Sequence, residues 1–288
     1  MKKFVALMLA LVMVFALCAC GGNDDPKPTD EAKDYSSMTL DQLKAELTTV
    51  KEGKLTVATS PDFAPYEFYS VGENGDATLV GFDIAFAKYI ADKLGLELEI
   101  VPMDFDGTLA ELGAKKCDLG MAGYSPDPDR ANLMNFSKIY YEGGQCFITS
   151  KANADKIKSL DDANNSQYKI GAQTGSIQSK LAKQNTPDAD NIDLSKVPDV
   201  IAEVISGKLD GAFMETIVAK SYQAQYPEIV IVCDVPYEQE GSAIGVNKDN
   251  EVLLAALNLI IDEAINDGSL QKLSLIHISE PTRRVVIS

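Results

Sequence analysis

The chain has 288 residues, 45% of them hydrophobic and 24% charged, a globular profile with room for one large or two medium domains rather than a disordered chain. Its formal net charge is −17, and removing the +2 of Lys2 and Lys3 and the +1 of Glu280, Arg283 and Arg284 leaves −20 on residues 20–272. Bulk electrostatics of that sign excludes nucleic acid and anionic headgroups as partners, so any anion recognised needs local donors.

In chain order, Lys2 and Lys3, an apolar run over residues 4–17 and small residues after it have the order of a secretory signal. The run is shorter than a spanning helix requires. Leu17-Cys18-Ala19-Cys20 resembles a lipobox, in which the cysteine after a small residue is acylated and becomes the new N-terminus. On that reading residues 1–19 are the signal peptide, Cys20 carries the lipid, palmitate included, and Gly21-Gly22-Asn23-Asp24-Asp25 is a flexible polar tether. The alternative is an ordinary secretory signal with an incidental cysteine. Residues 39–51 (TLDQLKAELTTVK) place Leu40, Leu43 and Leu47 at helical spacing, so residues 20–52 read as tether and lead-in helix.

From Lys54 short apolar runs alternate with amphipathic segments: LTVAT, 82–94, LELEIVPM, 107–115 and CDLGMAG. Such alternation predicts a mostly parallel sheet flanked by helices. Residues 147–150 lead out of this unit. A second unit follows in 169–172, 176–183, 200–208, 209–214 and 229–232; residues 242–246 return to strand character and 250–266 form an amphipathic helix. The pattern predicts discontinuous lobes, 53–146 plus 241–272 and 147–240, with the ligand in the cleft between them. Cys117, Cys146 and Cys233 are scattered singly, without zinc or disulfide-scaffold spacing, and read as buried small hydrophobes, with one bridge permitted outside the cytoplasm.

Residues 273–288 begin with LSLIHISEPTR, which resembles the translation of a transposon-end sequencing adapter and is expected to be an artefact rather than native sequence. The alternative is a genuine, unusual C-terminus. The segment holds the single histidine, His277, so histidine-based catalysis is excluded from the rest of the chain.

The blocks LTVATSPDFAPYEF (55–68), VGFDIAFAKYIADKLGLELEIVPMDFDG (80–107) and KKCDLGMAGYSPDPDR (115–130), in that order, closely resemble the family 3 bacterial solute-binding proteins, receptors of polar amino acid ABC transporters. The resemblance implies a type II periplasmic-binding-protein-like α/β fold whose two lobes are joined by two crossover strands. It also implies a monomeric, lipid-anchored, extracytoplasmic receptor that needs no cofactor and passes an amino acid to an ABC permease. Phe63 and Phe105 match positions that clamp a ligand side chain, where aromatic faces give contact area and cation–π attraction. Gly123, Ser125 and Arg130 match the block that binds the α-carboxylate, for which a guanidinium fork is suited. Gln173, Ser176, Ile177 and Gln178 match the turn that closes on the carboxylate from the second lobe, where helix N-terminal amides favour an anion. Glu215 matches the acid that pairs with the α-ammonium. Tyr66, Tyr124 and Met214 are further cleft candidates, and Asp83 and Asp118 read as structural. Ser60 stands where several receptors for cationic amino acids carry an acid, a neutrality that nearby Asp62 can offset. The rival functions are a dehydratase-like enzyme on the same fold and a sensory ligand-binding module.

Overall fold

The computed structural model describes residues 34–72, 74–238 and 241–279. The chain divides into residues 1–37 and 38–288. Of the first unit only 34–37 are described, and Tyr35–Ser37 is a single 3-10 turn. The signal peptide and Cys20 lie outside the described residues.

The second unit opens with helix α1 (Leu40–Glu46), started by a capping box in which the Thr39 side chain accepts from Gln42 N and the Gln42 side chain accepts from Thr39 N. Its buried Leu43 faces the body of the protein. Strand β1 (Lys54–Thr59) is buried along almost its whole length, as a central strand covered on both faces must be. A small antiparallel sheet of β2 (Asp62–Phe63), β3 (Glu67–Val71) and β4 (Ala77–Val80) follows. Helix α2 (Phe82–Leu94) buries Phe82, Phe86, Ile90 and Leu94 at a four-residue spacing and stops at Gly95 in the left-handed region. Strand β5 (Glu97–Pro102), helix α3 (Phe105–Gly113), β6 (Leu119–Gly120) and β7 (Met134–Phe136) complete this stretch.

The chain then enters a second sheet through β8 (Gln145–Ser150), followed by a short helix α4 (Leu160–Ala163), β9 (Lys169–Gln173), α5 (Ile177–Asn185), β10 (Asp190–Leu194), α6 (Val197–Ser206), β11 (Gly211–Glu215), α7 (Thr216–Gln225) and β12 (Ile229–Val235). It returns through β13 (Gly245–Asn247), followed by α8 (Glu251–Asn266), α9 (Ser269–Ser274) and a π-helical turn at Leu275–Ser279. The first sheet runs β5-β1-β6-β13-β7 and the second β10-β9-β11-β8-β12, so the molecule is two α/β lobes with two strands carrying the chain across. Both sheets are mixed rather than mostly parallel. In the first, β5, β1 and β6 are parallel while β13 runs against β6 and β7; in the second, β10, β9 and β11 are parallel while β8 runs against β11 and β12. The reversed strands are the two that arrive from the other lobe. They are not preceded by the crossover helix that would bring the chain back to the starting end of the sheet.

Cys117, Cys146 and Cys233 are free thiols. In the β8/β12 ladder Cys233 is opposite Phe147 and Cys146 is opposite Asp234, so the latter two thiols occupy successive register positions, which present opposite faces.

Candidate functional site

The loop after β6 carries the expected anion-binding block. Gly123 has φ +57, and a Cβ on it would lie 2.5 Å from the Phe63 ring, so only glycine lets the ring lie against this backbone. Its N–H, expected at the ligand carboxylate, donates to Asp83 Oδ2 at 3.1 Å. Asp83 is fully buried in the first turn of α2 and also accepts from the Tyr140 hydroxyl at 2.6 Å; it is structural, as is Asp118, which accepts from Thr56 N and Val50 N. Ser125 is buried, and its hydroxyl oxygen accepts from Gln145 Nε2 at 3.4 Å, which leaves its proton for an anion.

Arg130 ends the 3-10 turn Pro128–Arg130, whose start Asp127 caps. The side chain is nearly buried, with Phe105 below the guanidinium at 5.8 Å from the ring centroid and Asp127 Oδ2 3.9 Å from Nε. Its Nη2 crosses to the second lobe and donates to Gly175 O at 2.9 Å. Burial pulls the guanidinium down from its usual value and Asp127 opposes this; an arginine remains cationic at neutral pH in either case. Phe105 thus supports the arginine from below and also packs edge-on against Tyr124. Tyr124 is wholly buried, with its hydroxyl donating to Thr108 Oγ1 at 2.5 Å, and so belongs to the lobe core.

On the second lobe, Gln173 ends β9, Gly175 takes φ +74, and Ser176 caps α5 by accepting from Ser179 N at 3.2 Å. Ser176 also donates to Gln173 O at 2.6 Å. Ile177 is buried in the first turn of the helix, and Gln178 Nε2 donates to Gln145 Oε1 at 2.7 Å. Gln145 therefore links Gln178 of one lobe to Ser125 of the other. It is also paired with Glu215 across the β8/β11 ladder, and paired residues project to the same face of a sheet. Ser125, Gln178 and Glu215 accordingly surround Gln145, while Arg130 reaches the turn before α5 at Gly175.

Glu215 is the last residue of β11 and the N-cap of α7; its Oε2 accepts from Ile217 N at 2.8 Å and Val218 N at 2.9 Å. Its Oε1 is buried and takes no backbone donor. The Tyr66 hydroxyl lies nearby, and a Cβ on Gly143 would sit 2.7 Å from Oε1 and 3.4 Å from that hydroxyl. Burial raises the carboxyl to about 7, against the lowering effect of the two helix amides and of the Tyr66 hydroxyl.

Ser60 and Asp62 form a third group. The Ser60 hydroxyl donates to Asp62 Oδ1 at 2.9 Å; Asp62 Oδ2 then accepts from Val197 N at 2.9 Å and from Gln173 Nε2 at 3.2 Å, both on the second lobe. Burial raises the Asp62 carboxyl above its usual range. Phe63, Gln173, Gln178 and Met214 line a narrow inner cavity with Val197, Val200 and Phe213. A larger outer pocket of about 480 Å³ opens beside it between Asp62, Asp104, Tyr69, Lys196 and Tyr222. The residues missed in sequence are Gln145 and Asp127. Gln145 has a legible signal, a polar side chain opening the apolar run CFIT; Asp127 reads as a turn residue, and its burial comes from Arg130 and Lys180 closing over it.

Comparison with known proteins agrees with this fold. The model of the family described as "Bacterial extracellular solute-binding proteins, family 3" matches residues 55–279. The "Arginine-binding extracellular protein ArtP" of Bacillus subtilis is 31% identical over 277 residues, 95% of this chain and 96% of that one. A crystal structure of an amino acid ABC transporter substrate-binding protein from Streptococcus pneumoniae bound to L-arginine matches with TM-score 0.75 and 31% identity, covering 86% of this chain and 99% of that one. The ancestral amino acid-binding protein AncCDT-1, described as a precursor of cyclohexadienyl dehydratase, matches with TM-score 0.72 and 31% identity, covering 84% of this chain and all of that one.

Proposed function

The chain belongs to the family 3 bacterial extracellular solute-binding proteins, and from that premise we propose that it traps one zwitterionic amino acid between its lobes and presents it to the permease of an ABC importer. The observation that carries this reading is the buried Oε1 of Glu215, which takes no backbone donor and has only the neutral Tyr66 hydroxyl beside it. A buried carboxylate served on that side by a neutral hydroxyl still lacks a counter-charge, and an α-ammonium supplies one. Across the same region Arg130 and the Ser125 proton supply the matching anion site; opening the lobes releases the Arg130 fork from Gly175 O for a carboxylate. Two charge-assisted groups and aromatic contact can supply the roughly −8 kcal/mol that micromolar affinity requires. Relatives named for arginine, L-cystine and histidine support an amino acid as the ligand class.

Removing the arginine leaves a buried carboxylate without its counter-ion, a loss of roughly 2 to 5 kcal/mol. Titration calorimetry on Arg130→Ala should therefore show affinity at least about 30-fold weaker than wild type; retained affinity would sink the proposal. The fold neighbour related to a dehydratase makes Glu215, with a proton available near neutral pH, the residue on which an enzymatic reading would rest. Binding is favoured because the relatives are named as binding proteins; mass spectrometry should recover the added ligand at unchanged mass, and a product would favour the enzyme. On the same reading the protein works outside the cytoplasm as a monomer held by a lipid on Cys20, and Cys20→Ser should lose palmitate label and move from the membrane to the soluble fraction. A protein that stays in the membrane after this change is held by something else.

A further inference from the structure

Gln173 lines the inner cavity between the lobes, and the orientation of its amide is fixed. Nε2 has two protons, and they are taken by the Asp62 carboxylate at 3.2 Å and the Ser195 carbonyl at 3.2 Å. A carboxylate and a carbonyl both accept, so flipping the amide would set its oxygen against two acceptors. Oε1 is then what Gln173 has left to offer, beside the Phe63 ring and Met214 in the inner cavity. The orientation is itself supported: Asp62 is held by the Ser60 hydroxyl at 2.9 Å and by Val197 N at 2.9 Å, and Ser195 precedes the start of α6. Asp62, Asp104 and Lys196 line the outer pocket beside it, so its acids outnumber its one cation.

From this arrangement we infer that the side-chain end of the site selects amino acids whose side chains finish in an N–H donor, a guanidinium, ammonium or primary amide, and that Asp62 is the positioning residue which imposes the choice by locking Gln173. An acidic side chain meets an acceptor it cannot satisfy. An apolar chain of the same length leaves Oε1 covered and unpaired. Discrimination of this kind is large because the penalty is an unpaired polar group rather than a missing methylene.

The inference rests on the amino acid reading above, and the test separates the two. Calorimetry of the purified protein with arginine, lysine, glutamine, glutamate and norleucine should give binding to at least one of the first three, with norleucine at least 10-fold weaker and glutamate at least 100-fold weaker than the best of them. Asp62→Ala frees the amide to rotate and should reduce the glutamine-to-glutamate ratio at least 10-fold. Gln173→Leu should remove the preference over norleucine while norleucine itself still binds. A merely structural role for either residue would weaken all ligands together and leave the ratios unchanged, which overturns the inference. So does wild-type protein that binds norleucine or glutamate as tightly as the donors, an outcome that leaves the receptor reading standing. If none of the five amino acids binds, the receptor reading fails first and this inference falls with it.

Discussion

Glu215 sits at about 7 in the folded protein, against an ordinary carboxyl value of 4.5. Because the folded value is the higher one, the protonated form is what the fold prefers. The stabilisation it brings is complete below about pH 4.5 and is lost as pH rises through 7, a swing of about 3 kcal/mol in the ligand-free protein. An α-ammonium makes the opposite demand, since it is stabilised by the ionised carboxylate. Ligand affinity is therefore expected to be highest above pH 7 and to fall by up to about tenfold per unit as pH drops below it. Burial also raises Glu67, Asp83 and Asp62, so the informative quantity is the difference between wild type and Glu215→Gln. Calorimetric unfolding between pH 5 and 8 without ligand should show the variant lacking part of the wild-type loss of stability. Titrations over the same range should show its weaker affinity to be nearly independent of pH. Equal pH slopes in the two proteins would remove Glu215 from the ammonium position.

Among the elements, helix α6 shows how the cleft is assembled from parts that are incomplete alone. It begins after Lys196, which offers no side-chain cap, and its first amide, Val197 N, is instead taken by Asp62 from the other lobe. A carboxylate at a helix N-terminus satisfies an orphan donor and meets the positive end of the dipole. That relation was not readable in the sequence, because Asp62 and Val197 lie far apart in the chain and neither has a local signature. What was readable is equally specific. Helices α2 and α8 declare themselves by apolar residues every three or four positions and by their ends, Gly95 after α2 and Asn250 before α8. Strand β1 declares itself by the β-branched and apolar run LTVAT. Strand β10 does not, since DNIDL is a polar edge strand, exposed or half-buried throughout. Helix α7 was hidden for a different reason: its cap is Glu215, a residue read for its charge and not as a start signal. The proposed ligand block around Arg130 was legible through resemblance, but the engagement of Gly123 N by Asp83 was not. A backbone donor's partner is decided by packing between α2 and the loop.

At the scale of the whole molecule the lobes are held together by contacts that fall outside the proposed ligand contacts as well as by those within them. Lys180 of α5 reaches over to Asp127 at 3.1 Å and to Asp129, and the Tyr237 hydroxyl donates to Pro126 O at 2.5 Å. Both tie the second lobe to the loop that carries Arg130. These contacts belong to the closed arrangement, and a ligand that binds the closed form gains or loses apparent affinity with the population of that form. Lys180 is about one-third exposed, so its pairs are partly screened, and together with the Tyr237 bond they are expected to contribute about 1 to 2 kcal/mol. The double variant Lys180→Met, Tyr237→Phe leaves Arg130, Glu215 and Gln173 untouched. It should weaken binding of every ligand by a common factor of about 5 to 30, chiefly through faster dissociation, and the ligand-free protein should show a larger radius of gyration by small-angle scattering. Raising the salt concentration should narrow the gap between wild type and variant, because the lysine part of the clasp is screened while the tyrosine part is not. A change in ligand preference instead of a uniform loss would mean that the clasp shapes the site itself. No change in either affinity or radius would mean that closure is held by the cleft residues alone.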